Sequence, residues 1–284
     1  MSEQPARKHK TFDLPAGQMH YLDIGTGSPV VFVHGNPSSS AEFVPAIAEL
    51  SSSHRCIAVD HLGFGHSDKP TDWDYLPAHH ADNLAALLDA LDLRDVTMVV
   101  GDWGGPIGLS WVLDHPERVT GLVITNTWLW SVRRSAYYRG FSWFMGGPIG
   151  RALTTRFNFF AAQVPKRAWG TRTPWSATIA AEFTGVHTRP NERRGMWVFP
   201  REIIGSSDWL ASLWDRRANL RGIETVLLWG MMDIAFRADI LKIWQEALPA
   251  ARVEHLDDVG HFPALEATDR LVAAVRSVGE SRRD

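Results

Sequence analysis

A run of small residues around Asp102 has the sequence pattern of a turn that presents a nucleophile. Residues 99–101 (Val-Val-Gly) complete an apolar strand pattern, and a helix pattern begins directly after Gly104 and Gly105. In this strand–turn–helix arrangement, whose common form is Gly-x-Ser-x-Gly, the turn is tight and its neighbours are small. Here an aspartate stands at the nucleophile position. A carboxylate is already anionic at neutral pH, so Asp102 can attack carbon without a base, and water must then hydrolyse the alkyl ester that forms.

Ester hydrolysis requires a base and an acid that orients it, and both have candidates after later strands. His261 follows the last strand pattern and precedes the last helix pattern, as in chains with the order nucleophile, acid, histidine. Asp233 follows the strand pattern of residues 225–229 and would accept a hydrogen bond from the imidazole, which fixes its tautomer. An alternative acid position, at residues 125–127 (Thr-Asn-Thr), offers no anion. We therefore predict a triad of Asp102, His261 and Asp233.

Asn36 and Trp103 are candidates for two tasks beside the nucleophile. Asn36 follows the first strong strand pattern, and Trp103 follows Asp102 directly, so their backbone amides are the predicted oxyanion-hole donors. Their side chains carry neutral N–H groups. Hydrogen bonds to a charged acceptor contribute roughly 1.5–3 kcal/mol each. In an apolar cavity, these two side chains would bind a halide-like leaving group.

These residues must be brought together by a sheet whose strands end at one edge. Continuous apolar runs separated by helix patterns are typical of parallel strands buried on both faces. The sequence therefore predicts an α/β fold with a mostly parallel central sheet flanked by helices. The strand patterns cover residues 30–33, 56–59, 96–100, 122–124, 225–229 and 252–256, and the helix patterns cover residues 77–91, 106–114, 238–248 and 268–278.

The alternation of strands and helices stops between about residues 128 and 217, and this interval holds eight of the 13 tryptophans. We predict a helical cap over residues 128–217, inserted into a core made of residues 1–127 and 218–284. Its aromatic side chains would fill the core of the insertion, and some would roof a cavity suited to a small apolar ligand.

The composition argues against several classes of protein. With 29 Lys and Arg against 32 Asp and Glu, the net charge of −3 gives no basic excess for a nucleic acid partner. No apolar stretch approaches the roughly 20 residues of a membrane span. The polar N-terminal segment MSEQPARKHK lacks the apolar core of a signal peptide, and the lone Cys56 excludes an intrachain disulfide. These features favour a cytoplasmic protein, and exposed cap aromatics would allow a homo-oligomer.

Four motifs together resemble the haloalkane dehalogenases of the α/β-hydrolase superfamily. They are HGNPSSS at residues 34–40, DHLGFGHSDKP at 60–70, DWGGPIG at 102–108 and GHFP at 260–263, so the resemblance covers the whole catalytic frame. It implies an α/β-hydrolase fold with an inserted helical cap. It also implies hydrolysis of a carbon–halogen bond to an alcohol, a halide and a proton, with water as the cosubstrate and with no metal or organic cofactor.

The same resemblance assigns roles to residues of this chain. Asp102 is expected to be the nucleophile, His261 the base and Asp233 the acid, while Asn36 and Trp103 are expected to bind the halide. An acid after the later strand, combined with an Asn–Trp pair, is similar to the third subfamily. The chain departs from its relatives at residue 101, where Gly stands in place of the frequent His or Gln.

Three other functions compete with this interpretation. An epoxide hydrolase also uses an aspartate at this turn, but it needs two separated cap tyrosines, whereas Tyr137 and Tyr138 are adjacent and are expected to face apart. A haloacid dehalogenase would need an arginine at the nucleophile, for which the cap offers residues such as Arg133, Arg134 and Arg139. A non-catalytic binding protein of the same fold could keep the pocket without turnover, although a complete triad argues against it.

Overall fold

The computed structural model describes residues 9–279, so the first eight residues of the segment MSEQPARKHK and the last five of the predicted core lie outside it. Within the described range, eight strands form one sheet in the order β1-β2-β4-β3-β5-β6-β7-β8. The first two pairings, β1 with β2 and β2 with β4, are antiparallel, and all the others are parallel. The strands are β1 (His9–Leu14), β2 (Gly17–Ile24), β3 (Ser28–Val33), β4 (His54–Val59), β5 (Val96–Gly101), β6 (Val119–Thr125), β7 (Glu224–Gly230) and β8 (Arg252–Leu256).

Helices cover the sheet, and six of them lie between β6 and β7. No helix within residues 9–279 has both the length and the apolar character needed to cross a membrane. The helices are α1 (Val44–Leu50), α2 (Pro77–Ala90), α3 (Gly104–Asp114), α4 (Ala136–Gly146), α5 (Pro148–Phe157), α6 (Phe159–Arg167), α7 (Ala177–Thr184), α8 (Arg194–Gly205), α9 (Ser207–Asp215), α10 (Ala238–Ala247), α11 (Pro263–Glu266) and α12 (Thr268–Ser277).

The predicted α/β fold with a mostly parallel sheet is confirmed, and each predicted strand and helix is present. The predicted bounds of β8 are the observed ones, and the other elements are shifted at one end or both. The sequence pattern missed β1, β2, α1 and the short α11. Strand β1 lies at the sheet edge and is mostly exposed, and β2 mixes buried polar residues such as His20 and Asp23 with apolar ones. Neither strand has the continuous apolar run of a strand buried on both faces.

The central strands carry the core and align the chain segments that follow them. Residues 30–33 of β3 and 96–100 of β5 are buried, and burying a valine or leucine side chain contributes roughly 1.5–3 kcal/mol. Val33 of β3 pairs with Val100 of β5, and Gly101 pairs with Thr125 of β6. The loops that follow these strands therefore begin side by side at one edge of the sheet.

Candidate active site

Asp102 lies on a strained turn between β5 and α3. Its φ of +47° is in the left-handed region, which costs a non-glycine residue about 1–3 kcal/mol. The neighbours must be small because other segments approach closely. A Cβ on Gly104 would lie 2.0 Å from the carbonyl oxygen of Val33, and one on Gly105 would lie 1.9 Å from the hydroxyl of Thr127. The small residues in the motif are thus required by the end of β3 and by the chain segment that follows β6.

His261 lies between β8 and α11, with its ring nitrogens facing two carboxylates. Its Nε2 is 3.6 Å from Oδ2 of Asp102, and its Nδ1 is 2.8 Å from Oδ2 of Asp233. Asp233 is buried, and its Oδ1 accepts a hydrogen bond from the amide of Ala235 at 2.7 Å. The structure therefore brings the three residues of the predicted triad together, with the imidazole between the two carboxylates.

The charges around His261 determine its protonation state. Burial alone would lower the pKa of this imidazole, but the carboxylates of Asp233 and Asp102 outweigh burial and raise the pKa well above its ordinary value. The two carboxylates therefore favour the cationic form of the imidazole before the ester forms. Converting Asp102 to a neutral ester would remove one of the two anionic charges and lower the pKa of His261.

Asn36 follows β3 and contacts Asp102 through its backbone. Its amide N–H donates to Oδ1 of Asp102 at 2.7 Å, which is the position of an oxyanion-hole donor. Among the described residues, the amide of Trp103 forms no such bond to Asp102, so one of the two predicted donors contacts the carboxylate. The side-chain nitrogen of Asn36 donates to the carbonyl oxygen of Met196 at 3.3 Å, which leaves its second N–H for another acceptor.

A mainly apolar cavity opens in front of Asp102, beneath the helices that lie between β6 and β7. Its walls include Phe141 of α4, Phe160 and Val164 of α6, and Ile203 of α8. Asn36, Trp103, Asp102 and His261 line the same cavity. The nucleophile therefore faces a space that suits a small apolar molecule, with the predicted halide donors at its wall.

Trp128 adds a further donor, although its place in the sequence predicted only a cap aromatic. It lines the cavity beside Trp103, with the two ring centroids 4.6 Å apart. Its indole nitrogen is buried and has no hydrogen-bond partner within the described part of the chain. An unpaired buried donor is costly, by about 1–3 kcal/mol, unless an acceptor arrives. The sequence signal that could have identified Trp128 is its position three residues after β6, because that position places it at the edge of the sheet where Asp102 lies.

Comparisons with known proteins agree with this geometry. Residues 28–268 match the family model described as the alpha/beta hydrolase fold. Haloalkane dehalogenase 2 of Mycobacterium tuberculosis is 34% identical over 266 residues, which cover 93% of this chain and 92% of the relative. The chain belongs to the haloalkane dehalogenase family of α/β-hydrolases. The crystal structure of the haloalkane dehalogenase DatA from Agrobacterium tumefaciens C58 is 26% identical with a TM-score of 0.80, covering 93% of this chain and 94% of that one.

A second relative, which is named for a different activity, has about the same sequence identity to this chain as the dehalogenase of Mycobacterium tuberculosis. The cis-3-alkyl-4-alkyloxetan-2-one decarboxylase of Shewanella oneidensis is 33% identical over 272 residues, covering 91% of this chain and 84% of the relative. The motifs around Asp102 and His261 do not predict this activity, because they do not identify the bond that is attacked.

Asn126 positions two residues of the predicted triad. The sequence did not predict this role, because Asn126 carries no charge and was excluded as the acid. Its side chain donates to Oδ2 of Asp233 at 3.0 Å and to the carbonyl of Gly230 at 2.9 Å, and it accepts from the amide of Gly230 at 2.8 Å. Its own carbonyl accepts from the amide of Asp102 at 3.0 Å. Asn126 therefore positions both the acid and the nucleophile.

Glu42 is a second acidic group near the catalytic pair, and sequence reasoning missed it. It lines a small space with Asp102 and His261, whose free volume of about 10 Å³ is close to that of one water-sized sphere. Although the residue as a whole is half-buried, its carboxyl group lies deep among protein atoms, and burial raises its pKa to about 7. The hydroxyl of Ser38 and the charge of His261 favour the ionised form, and Asp102 opposes it.

The two cap tyrosines do not face apart, so that expectation was wrong. Both line the cavity beside the same loop, because they lie in the first turn of α4 and their long side chains reach it together. The hydroxyl of Tyr137 donates to the carbonyl of Ile234 at 3.0 Å, and that of Tyr138 donates to the carbonyl of Ala235 at 2.7 Å. Both hydroxyl protons are already used in these hydrogen bonds, and this observation argues against their donation to an epoxide oxygen.

The cap arginines considered for a haloacid substrate lie away from the nucleophile. Arg133 is exposed and forms an ion pair with Asp208. Arg134 and Arg139 are also exposed, and among the described residues none of the three arginines lines the cavity. The cavity wall therefore offers no guanidinium group for a substrate carboxylate.

Proposed function

We propose that this protein hydrolyses the carbon–halogen bond of haloalkanes to an alcohol, a halide ion and a proton through an aspartyl alkyl ester. The observation that carries the proposal is the position of Asp102, whose carboxylate faces an apolar cavity on one side and the His261–Asp233 pair on the other. A small halogenated substrate, water and the halide product are the partners. The proposal involves no cofactor and no metal.

The first step is an in-line displacement at the halogen-bearing carbon. Because the Asn36 amide holds Oδ1 of Asp102, Oδ2 is the oxygen that forms the bond to carbon. The carbon–halogen bond breaks, and its electron pair leaves with the halide. The indole N–H of Trp103 and the side-chain N–H of Asn36 receive the halide, and the unpaired indole N–H of Trp128 reinforces them.

The second step regenerates Asp102. Ester formation removes a negative charge beside His261, so the pKa of His261 falls, and the imidazolium releases the net proton of the reaction to solvent and becomes a base. His261 takes a proton from water while the water oxygen attacks Cγ of Asp102, and the negative charge forms on Oδ1, at the Asn36 amide. The Cγ–Oδ2 bond then breaks, the alcohol takes the proton from His261, and the proton of the new carboxyl group of Asp102 returns His261 to its cationic form.

A second candidate function is decarboxylation of an oxetan-2-one. The similarity to the decarboxylase of Shewanella oneidensis, at nearly the same identity as the dehalogenase relative, is the observation that favours it. The products separate the two activities, because an oxetan-2-one that loses carbon dioxide leaves an alkene, whereas a haloalkane gives an alcohol and a halide.

The test is product analysis with a substrate panel of 1-bromobutane, 1,2-dibromoethane, 1-chlorohexane, styrene oxide and a cis-3,4-dialkyloxetan-2-one. We expect bromide and alcohol in equal amounts from the bromoalkanes, and loss of both in Asp102→Ala. Diol from styrene oxide without bromide would move the assignment to epoxide hydrolysis, and alkene without bromide would move it to decarboxylation. No turnover of any substrate would favour a binding protein.

Four features of the protein stay predictions within this proposal. They are the division into a core and a cap of residues 128–217, membership of the third subfamily, a cytoplasmic location and a homo-oligomeric state. Six helices between β6 and β7 support the cap, and Asp233 with the Asn36–Trp103 pair supports the subfamily.

A further inference from the structure

Charge is divided unevenly along the chain. Residues 128–217 carry 14 Arg and Lys against five Asp and Glu, a balance of +9, while the whole chain has 29 against 32 and a balance of −3. The rest of the chain therefore has a balance of −12. Residues 118–181 contain nine Arg and Lys and no Asp or Glu at all. A surface formed by this segment is attracted to anions although the protein as a whole is weakly acidic.

The outer side of α4 and α5 combines this positive charge with exposed apolar side chains. Trp143 is 75% exposed, Phe157 65%, Ile149 59% and Phe144 42%. The opposite side of α4 is buried against α8, where the hydroxyl of Ser142 donates to the carbonyl of Arg201 at 3.1 Å. The helix is therefore held in place by its inner side and presents large apolar groups on its outer side.

Exposed arginines lie among these apolar side chains. Arg139 is one helical turn before Trp143 on α4, and the guanidinium of Arg156 lies 5.7 Å from the ring of Phe157. Neither arginine forms an ion pair with an acidic side chain within residues 9–279. We call the surface formed by Arg139, Trp143, Phe144, Ile149, Arg156 and Phe157 the α4–α5 face.

We propose that the α4–α5 face docks on the surface of an anionic lipid bilayer. Aromatic side chains favour the boundary between lipid headgroups and hydrocarbon, and basic residues beside them are attracted to anionic lipids. An acidic protein partner would satisfy the arginines, but four large apolar groups with no acidic residue nearby in the sequence match a lipid surface better. Docking here leaves the acidic core facing away from the membrane.

The α4–α5 face adjoins the mouth of the cavity. Tyr137 of α4 and Ile234 line the cavity and are 47% and 41% exposed, so they mark its opening. Tyr137 precedes Trp143 by six residues, or about 9 Å along the helix. Docking would place the opening beside the lipid, where apolar haloalkanes concentrate. This consequence for substrate supply rests on the proposed function, whereas the docking itself does not.

The test is flotation of the full-length protein with lipid vesicles. We expect binding to vesicles in which one lipid in three is phosphatidylglycerol, no binding to vesicles of phosphatidylcholine alone, and weaker binding at high salt. Each basic residue near the surface contributes about fivefold to the partition coefficient. Arg139→Glu with Arg156→Glu should therefore reduce partitioning by about 30-fold or more. Trp143→Ser should weaken the binding that remains at high salt.

The matched control is Arg94→Glu with Lys242→Glu, which changes the net charge equally at exposed positions of the core. Equal partitioning of the two double variants would overturn the proposal, as would binding to single-stranded DNA but not to vesicles. A dimer that Trp143→Ser dissociates, without any vesicle binding, would reassign the face to self-association. Bromide release from dissolved 1,2-dibromoethane, measured without vesicles, reports separately on the proposed function.

Discussion

Replacing Asp233 with asparagine separates the two half-reactions, because only the second needs His261 as a base. Asp102 attacks as an existing anion, so ester formation keeps a rate near that of the wild type. Hydrolysis passes through an imidazolium that Asp233 stabilises across 2.8 Å. At an effective dielectric constant of about 20, two unit charges at this distance interact by roughly 6 kcal/mol, so losing the charge slows hydrolysis by up to about 10⁴-fold.

Rapid-quench kinetics with 1-bromobutane measure both steps in one experiment. Asp233→Asn should release one equivalent of bromide per enzyme in a fast burst, followed by very slow alcohol formation, and its intact mass should increase by one butyl group. Asp239→Asn, at an exposed acid of α10, is the control and should keep the wild-type steady state. If the variant is folded by urea titration and the burst rate falls as much as alcohol formation, the separation of roles is refuted.

Three further predictions concern the halide site, the second acid and the nucleophile turn. Trp103→Phe removes a donor to the halide and should slow the bromide burst by about 10- to 150-fold, the equivalent of 1.5–3 kcal/mol, measured by rapid quench. The pKa of Glu42 is raised to about 7, so the folded protein binds a proton at this carboxyl group more tightly than the unfolded chain does. The free energy of unfolding should therefore fall by up to about 3 kcal/mol as the pH rises from about 4.5 to 7. In urea titrations, the Glu42→Gln variant should lose this dependence on pH. Gly105→Ala should reduce the free energy of unfolding by about 1–3 kcal/mol because its Cβ meets Thr127, whereas Gly140→Ala, into open space on α4, should be neutral or stabilising.

The sequence predicted those parts of the site that a local pattern specifies. The turn at Asp102 needs small residues wherever another backbone approaches, so Gly104 and Gly105 were visible in the sequence. The order of the strands was sufficient to select His261 from 12 histidines and to select Asp233. Their contact follows from the parallel sheet, because the segments after β5, β7 and β8 meet at one edge.

The sequence could not predict what depends on the direction of individual side chains. Tyr137 and Tyr138 face the same loop because α4 begins at Ala136, one residue before them, and no pattern placed that start. Trp128 became a candidate donor only through its unpaired nitrogen. Glu42 lies far from Asp102 in sequence, and an acidic residue at the start of a helical turn reads as an ordinary surface group.

Asn126 and Thr127 join the nucleophile to the acid, and the chain enters the predicted cap at the next residue. Asn126 binds the backbone of Asp102 and the side chain of Asp233, and the Thr127 hydroxyl donates to the carbonyl of Asp102 at 2.5 Å. The carbonyl of Thr127 in turn accepts from the indole of Trp244 at 2.9 Å. The predicted cap thus begins at a point that is anchored to the core by hydrogen bonds to Asp102, Gly230, Asp233 and Trp244. Exchanging caps between relatives at this junction would change which molecules reach the nucleophile while its distance from the acid stays fixed, so selectivity and reactivity can evolve independently.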